Sequence, residues 1–252
     1  MLPDHFLRPG RPLVLAHRGA SRDAPENTLA AFQLAREQGA DGVELDVQLC
    51  ATGEVVVFHD TTLGRITGRP GLLEEASLDT LRTLDAGAHK AARFAGERIP
   101  LLQEVLEATP KGFLVNIELK CERLDDRGLT ARTIERIRDA SASDRVLLSS
   151  FNPLCLRHAQ SLAPDLPRAL LFHSNQGLLL RNAAAAPLVG AHALHPEGVL
   201  ATPERVARWT RRGYTVSCWT VDAPDEARRL VDAGVRGLIT NEPLKLLKEL
   251  TA

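Results

Sequence analysis

The chain reads as an α/β protein built on a parallel sheet, of the barrel or doubly wound type, and three observations point there. Short runs rich in valine, leucine and isoleucine alternate with amphipathic stretches along its 252 residues, the pattern of repeated strand–helix units. At 44% apolar and 25% charged, the composition supports one large core, so one domain over residues 1–252 is expected. Proline and glycine punctuate the alternation where helices would start and stop.

Nine apolar runs qualify as strands: Leu13–His17, Gly42–Val47, Val55–His59, Phe113–Lys120, Val146–Ser150, Ala169–Phe172, Ala193–His195, Thr215–Trp219 and Gly237–Thr240. Nine is one too many for an eight-stranded barrel. The link from Cys50 to Glu54 is too short for a crossover helix, so residues 44–59 hold either a hairpin or two barrel strands.

Helix signals fill the gaps. Asn27 to Gln38 carries Leu29, Phe32 and Ala35 at helical spacing and stops at Gly39, with Asn27 as the expected cap. Asn152-Pro153, Thr202-Pro203 and Glu242-Pro243 place proline near a first helical position, and Gly213 and Gly234 mark later stops. Residues 61–98 break the rhythm with one clear helix, about Leu78 to Leu84 behind Ser77, and read as a small insertion after the third candidate strand. The weakly polar tract from Gly177 to Ala193 contains Arg181, Asn182 and Pro187 and reads as helix and loop.

Charge excludes some partners. Lys and Arg number 31 against 32 Asp and Glu, so no overall basic field draws the chain to nucleic acid or an anionic membrane. Cys50, Cys121, Cys155 and Cys218 form no CxxC pair and read as buried free thiols. MLPDHFLRPGRP lacks the apolar stretch of a secretory signal, and no run reaches the roughly 20 apolar residues of a membrane span. A cytoplasmic location without stable membrane association is therefore expected.

The chemistry follows from strand parity. Successive side chains in a strand alternate faces, so Glu44 and Asp46 share one face while Val43, Leu45 and Val47 take the other. Asn116, Glu118 and Lys120 likewise sit together, opposite Val115, Ile117 and Leu119. In a closed barrel these polar groups would converge near the strand ends, where barrel enzymes build their sites. Glu44, Asp46 and Glu118 offer hard oxygen donors suited to Mg2+ or Ca2+; the competing arrangement is an ion network with Arg18 and Lys120. His17 and His59 end two apolar runs and can carry protons near neutral pH. Arg18 adds a planar fork matched to phosphate oxygens and Lys120 a point charge, while Asp60 either orients His59 or caps the next turn.

These residues resemble the glycerophosphodiester phosphodiesterases, of the phospholipase C-like phosphodiesterase superfamily. The resemblance is carried in order by His17-Arg18-Gly19, Glu26-Asn27-Thr28, GADGVELDVQL at 39–49, VVFHDTTL at 56–63, IPLLQEVL at 99–106, Glu118-Leu119-Lys120, Ser149-Ser150-Phe151, Trp219-Thr220-Val221 and Gly237 to Pro243. It implies a TIM-type (β/α)8 barrel with a small insertion after His59-Asp60. It also implies Glu44, Asp46 and Glu118 as metal ligands, His17 and His59 as the acid–base pair, and Arg18 and Lys120 on the phosphate. The implied reaction is metal-dependent hydrolysis of a small glycerophosphodiester to glycerol 3-phosphate and an alcohol.

Glu26 would touch His17 or the metal shell, and Trp219 is placed in the pocket wall. Phe151 is open between pocket and packing, Trp209 belongs to the outer core, and His195 has no evident partner. Asn241 stands where the family more often has Asp, and Cys50 where Thr or Ser is common. Two rival readings exist: a phospholipase D-type hydrolase of lysophospholipid or sphingomyelin, with Leu72-Leu73 and Leu178–Leu180 as its apolar lip, and a non-catalytic phosphate-binding module. Head group, native ion and oligomeric state, monomer or homodimer, are left open.

Overall fold

The computed structural model describes residues 2, 6–7, 10–121 and 125–251. Eight parallel strands form a closed barrel: β1 (Leu13–His17), β2 (Gly42–Leu49), β4 (Leu114–Leu119), β5 (Val146–Ser150), β6 (Arg168–Phe172), β7 (Ala193–Pro196), β8 (Thr215–Cys218) and β9 (Gly237–Thr240). Closure comes from β1, which pairs with β2 on one side and β9 on the other. The surplus strand β3 (Val55–Val57) folds back antiparallel on β2, with Val47 opposite Val57, so residues 44–59 are a hairpin. That arrangement follows from chain length: the 50–54 link can make a reverse turn but cannot cross a barrel face.

Helices α1 (Leu29–Glu37), α4 (Leu102–Ala108), α5 (Leu129–Asp139), α6 (Pro153–Leu162), α7 (Leu178–Arg181), α8 (Pro203–Arg211), α9 (Pro224–Asp232) and α10 (Pro243–Thr251) follow the barrel strands and the hairpin. The Asn152 and Thr202 side chains accept from the N–H of Leu154 and Arg205, the caps their Asn-Pro and Thr-Pro pairs predict. At α1 the cap is Thr28, which accepts from Ala31 N–H, and not Asn27. Asn27 has a φ of 57°, one residue outside the cap, and its side chain is used elsewhere.

Parity holds around the wall. Leu13, Leu15, Leu114, Leu147, Ala169, Ala193 and Ile239 form an interior cluster. Val43, Leu45, Val47, Val115, Ile117 and Leu119 pack outward under Phe32, Val105, Leu106 and Ile137. Each such fully buried aliphatic side chain contributes about 1.5–3 kcal/mol, which makes slippage of β2 or β4 by one residue prohibitive. Trp209 is buried in the outer layer, edge-on to Phe172 at 5.6 Å.

Residues 61–98 contain α2 (Gly64–Thr67), α3 (Leu78–Arg82) and two short 3-10 turns. Ser77 caps α3, whose last turn tightens so that Leu84 N–H reaches Leu81 and the helix ends at Arg82. Leu63, Ile66, Leu73 and Leu81 pack with Val56 and Phe58 of the hairpin, so this segment has its own small core on the barrel rim. Leu73 is wholly buried there and forms no part of an apolar lip; Leu178 and Leu179 are 65% and 75% exposed. None of the four cysteines forms a disulfide, and Cys121 is half-buried where full burial was expected. Among the described residues, no helix is long and apolar enough to cross a membrane.

Candidate active site

The site forms at the C-terminal ends of the barrel strands, where inward parity delivers polar side chains from several strands to one place. Glu44 on β2 pairs in register with Asn116 on β4, and Asp46 with Glu118. All three carboxylates are buried, and each offers an oxygen within 4.8 Å of the others'. A cavity of about 250 Å3 above them is lined by His17, Arg18, Glu44, His59, Asn116, Glu118, Lys120, Phe151 and Trp219 among others. Asp46, 1% exposed, lies beneath it.

The turn after β1 explains the His-Arg-Gly string. Arg18 takes a φ of 57° and Gly19 one of 84°, and a Cβ on Gly19 would lie 2.6 Å from that of Ala31 in α1. The reversal points Arg18 N–H at Glu44, whose carbonyl lies 2.9 Å and carboxylate 3.2 Å away. Its guanidinium Nη1 donates to Glu26 at 2.9 Å while Nε lies 3.2 Å from Asp46 Oδ2. Glu26 therefore serves Arg18 rather than His17, and it also accepts two hydrogen bonds from Arg65 of α2. Lys120 sits 3.1 Å from Glu118 and 3.8 Å from Asp46. The ion network with Arg18 and Lys120 is thus present, yet it leaves three carboxylates facing two cations.

That imbalance shows in the electrostatics. Burial, reinforced by the Asp46 charge, pushes Glu44 up to about 8 and Glu118 up to about 7. Burial opposes ionisation of Asp46 too, but Arg18 and Lys120 outweigh it and hold that carboxyl below its usual range. Glu26 is half-buried, and burial opposes its ionisation, yet Arg65 and Arg18 bring it down to about 2. A cluster in which two carboxyls are forced toward protonation has a deficit of positive charge, and three oxygen donors at this spacing fit a hard divalent cation.

Both histidines reach the cavity with Nδ1 engaged. His59 Nδ1 lies 2.7 Å from Asp60, and His17 Nδ1 2.8 Å from Asn241 Oδ1. Burial is the largest influence lowering the pKa of each ring, with Arg18 adding to it at His17. Phe151 and Trp219 meet edge to face at 5.3 Å on the opposite wall, and Trp219 Nε1 donates to the His195 carbonyl. His195 itself is buried inside the barrel, pushed down to about 3 by that burial. An adjoining groove of about 270 Å3 runs from His59 and Lys120 between Thr61, Leu72 and Glu74 of the insertion and Asp126 and Arg127 before α5.

Residues 17–245 match the glycerophosphoryl diester phosphodiesterase family. The chain belongs to this family. It is 42% identical over 236 residues to a glycerophosphodiester phosphodiesterase of Caldanaerobacter subterraneus, covering 93% of this chain and 96% of that one. A phosphodiesterase of Oleispira antarctica, solved with its product sn-glycerol-3-phosphate, superposes with a TM-score of 0.90 at 32% identity over 98% of both chains. A glycerophosphodiester phosphodiesterase of Agrobacterium tumefaciens gives a TM-score of 0.81 at 27% identity, over 94% of this chain and 99% of the other. This family member is accordingly a phosphoric diester hydrolase built on a TIM barrel.

Several residues of the glycerophosphoryl diester phosphodiesterase site escape a reading of the sequence. Asn27 Nδ2 donates to Asp46 at 2.9 Å, tying the first loop to the acidic cluster. Gln48 Nε2 lies within hydrogen-bond reach of the carbonyls of Phe58, His59 and Asp60 and pins the hairpin end that carries His59. Parity was the available signal for Gln48, which shares the inward face with Glu44 and Asp46. Arg65 was not singled out although Asp60 is only five residues away, since its other partner, Glu26, lies 39 residues off, and Asn241 was marked only through the family resemblance, its contact with His17 spanning 224 residues.

Proposed function

We propose that the chain, as one barrel domain over residues 1–252, hydrolyses small glycerophosphodiesters to glycerol 3-phosphate and an alcohol, with a divalent cation held by Glu44, Asp46 and Glu118. The observation that carries this is the meeting of three buried carboxylates and two imidazoles around one cavity. When bound, the cation would supply Lewis-acid stabilisation of negative charge growing on the phosphoryl oxygens. Mg2+ and Ca2+ both suit the all-oxygen donor set.

The chain's own groups do the rest. A phosphodiester is anionic and repels nucleophiles, so Arg18 and Lys120, which face the cavity, would hold the phosphate and offset charge in the transition state. His17 and His59 each have Nδ1 tied to a neighbour, which leaves Nε2 of one to take a proton from the nucleophile, either water or the substrate's own glycerol hydroxyl with water then opening the cyclic phosphate, and Nε2 of the other to protonate the departing alcohol. Phe151 and Trp219 give the glycerol carbons an apolar wall, and the groove beyond His59 has room for the leaving alcohol. The product named for the Oleispira antarctica structure, sn-glycerol-3-phosphate, agrees with this reading.

The test is hydrolysis of glycerophosphocholine and lysophosphatidylcholine side by side, before and after chelation and with Mg2+ or Ca2+ restored. Preference for glycerophosphocholine, lost on chelation and regained with the ion, is expected. Activity untouched by chelation would sink the carboxylate assignment. The exposed Leu178 and Leu179 favour the phospholipase D-type alternative, and a strong preference for the lipid would select it.

A further inference from the structure

Behind His17 stands Asn241, which holds its Nδ1, and beyond Asn241 stands Asp222. Asp222 follows β8, and its Oδ1 accepts from Asn241 N–H at 2.8 Å and from Thr240 Oγ1 at 3.0 Å. Its Oδ2 lies 2.7 Å from Asn241 Nδ2. A carboxylate only accepts, so the Asn241 amide must present its nitrogen to Asp222 and its oxygen in the other direction. On that side Ser21 Oγ donates to Asn241 Oδ1 at 2.8 Å, and His17 Nδ1 lies 2.8 Å from the same atom. An amide oxygen also only accepts. The hydrogen between Asn241 and His17 therefore belongs to His17 Nδ1, and in the neutral ring the lone pair is left on Nε2. It is Nε2 that faces the acidic cluster, 3.8 Å from Glu44 Oε2.

We propose that Asp222 and Asn241 are positioning residues that orient the His17 ring and hold it as the Nδ1–H tautomer, presenting Nε2 with its lone pair to the substrate. The relay has a fixed anchor: Val221, next to Asp222, donates its N–H to Ile239 of β9 at 2.9 Å, and Asn241 itself follows β9. Both members thus hang from the same strand pair, which sets their separation. A carboxamide achieves this without placing a second charge beside His17. The inference rests on the reading of His17 as a proton carrier only for its catalytic consequence; the tautomer itself is a property of the folded chain.

Two readouts keep the questions separate. In the protein labelled with 15N-histidine, at a pH where the ring is neutral, the His17 ring resonances are assigned by their loss in His17→Ala. Wild type and Asn241→Asp, which keeps an acceptor in place, are expected to show Nδ1–H. Asn241→Leu is expected to show mixed tautomers and a kcat lowered about 10- to 100-fold with KM within about threefold of wild type. Asp222→Asn, which frees the amide to turn, is expected to move in the same direction by less. An Nδ1–H pattern and a kcat both unchanged in Asn241→Leu would overturn the proposal. Should that variant fail to fold, an unchanged tautomer and kcat in Asp222→Asn would do so. An Nδ1–H signature in a wild-type protein that cleaves no glycerophosphodiester would instead leave the positioning intact and discard the catalytic reading.

Discussion

Asp60 Oδ1 lies 2.7 Å from His59 Nδ1, so the carboxylate next to the second imidazole in sequence is also the group that orients it. Arg65 in turn grips the same carboxylate through Nε at 2.6 Å, and this hydrogen bond, opposed by burial and helped by His59, brings Asp60 down to about 2. Asp60 is thus an anion at neutral pH and a fixed acceptor for His59.

On the proposed acid–base role of His59, replacing Asp60 with Ala is expected to lower kcat roughly 10- to 100-fold, because a misoriented imidazole transfers protons less effectively. Asp60→Asn retains an acceptor and should recover part of the loss. Steady-state kinetics at saturating cation measure both, and an unimpaired Asp60→Ala would mean that His59 needs no such support.

The stability of the cation-free chain should fall as pH rises from about 7 to 8, where the histidines lowered by burial are neutral in both the folded and the unfolded state. Glu44 and Glu118 retain protons in the folded state up to about 8 and about 7, well above the value near 4.3 of an unfolded glutamate, so once the histidines have lost their protons in both states these two groups leave the native state with the larger number. Stability present at the acid end is lost as these groups ionise. Added Mg2+ or Ca2+ offsets the repulsion, so the rise in Tm on adding the ion should be larger at pH 8 than at pH 5.5. A gain in Tm independent of pH would contradict the assignment of these carboxylates as ligands.

Asn27→Ala should weaken cation affinity about 10- to 100-fold, since Asn27 Nδ2 fixes the Asp46 carboxylate that a metal would need in one orientation. Titration calorimetry reports it directly. Thr28→Ala, one residue on, should cost about 1 kcal/mol of stability through loss of the α1 cap and leave affinity near wild type. Interchanged outcomes would reverse the roles given to these neighbours.

Arg65→Ala separates function from stability. Arg65 is about half exposed, so its pairs with Glu26 and Asp60 should contribute under about 1 kcal/mol to folding. It nevertheless joins the insertion to the groups that hold Arg18 and His59, so turnover should fall several-fold while Tm stays close to wild type. A large drop in Tm with normal turnover would make Arg65 a purely structural clamp.

How far the site was legible depends on the range of the contact involved. Glu44 with Asp46, and Glu118 with Lys120, were placed on one face by the alternation of side chains within single strands, which needs no partner. Gln48 obeys the same rule two residues further along. The expectations that Asn27 caps α1 and that Glu26 touches His17 or the metal shell differ from the contacts found for a common reason: a side chain in a loop chooses among several hydrogen-bond partners, and the choice is made by what the fold brings near. Asp46 and Arg65 arrived from other segments and took them.

The sequence by itself determined the alternation of strands and helices, the inward face of each strand, most helix starts, and the residue types that gather at the strand ends. These are local properties, set by period, by proline and by short-range caps. Tertiary structure alone decided that residues 44–59 form a hairpin, that Asp60 serves His59, and that Asn241, 224 residues away in the chain, stands behind His17 with Asp222 beyond it. Barrel closure between β1 and β9 brings those ends together, and pairing across such a separation leaves no periodic trace in the sequence.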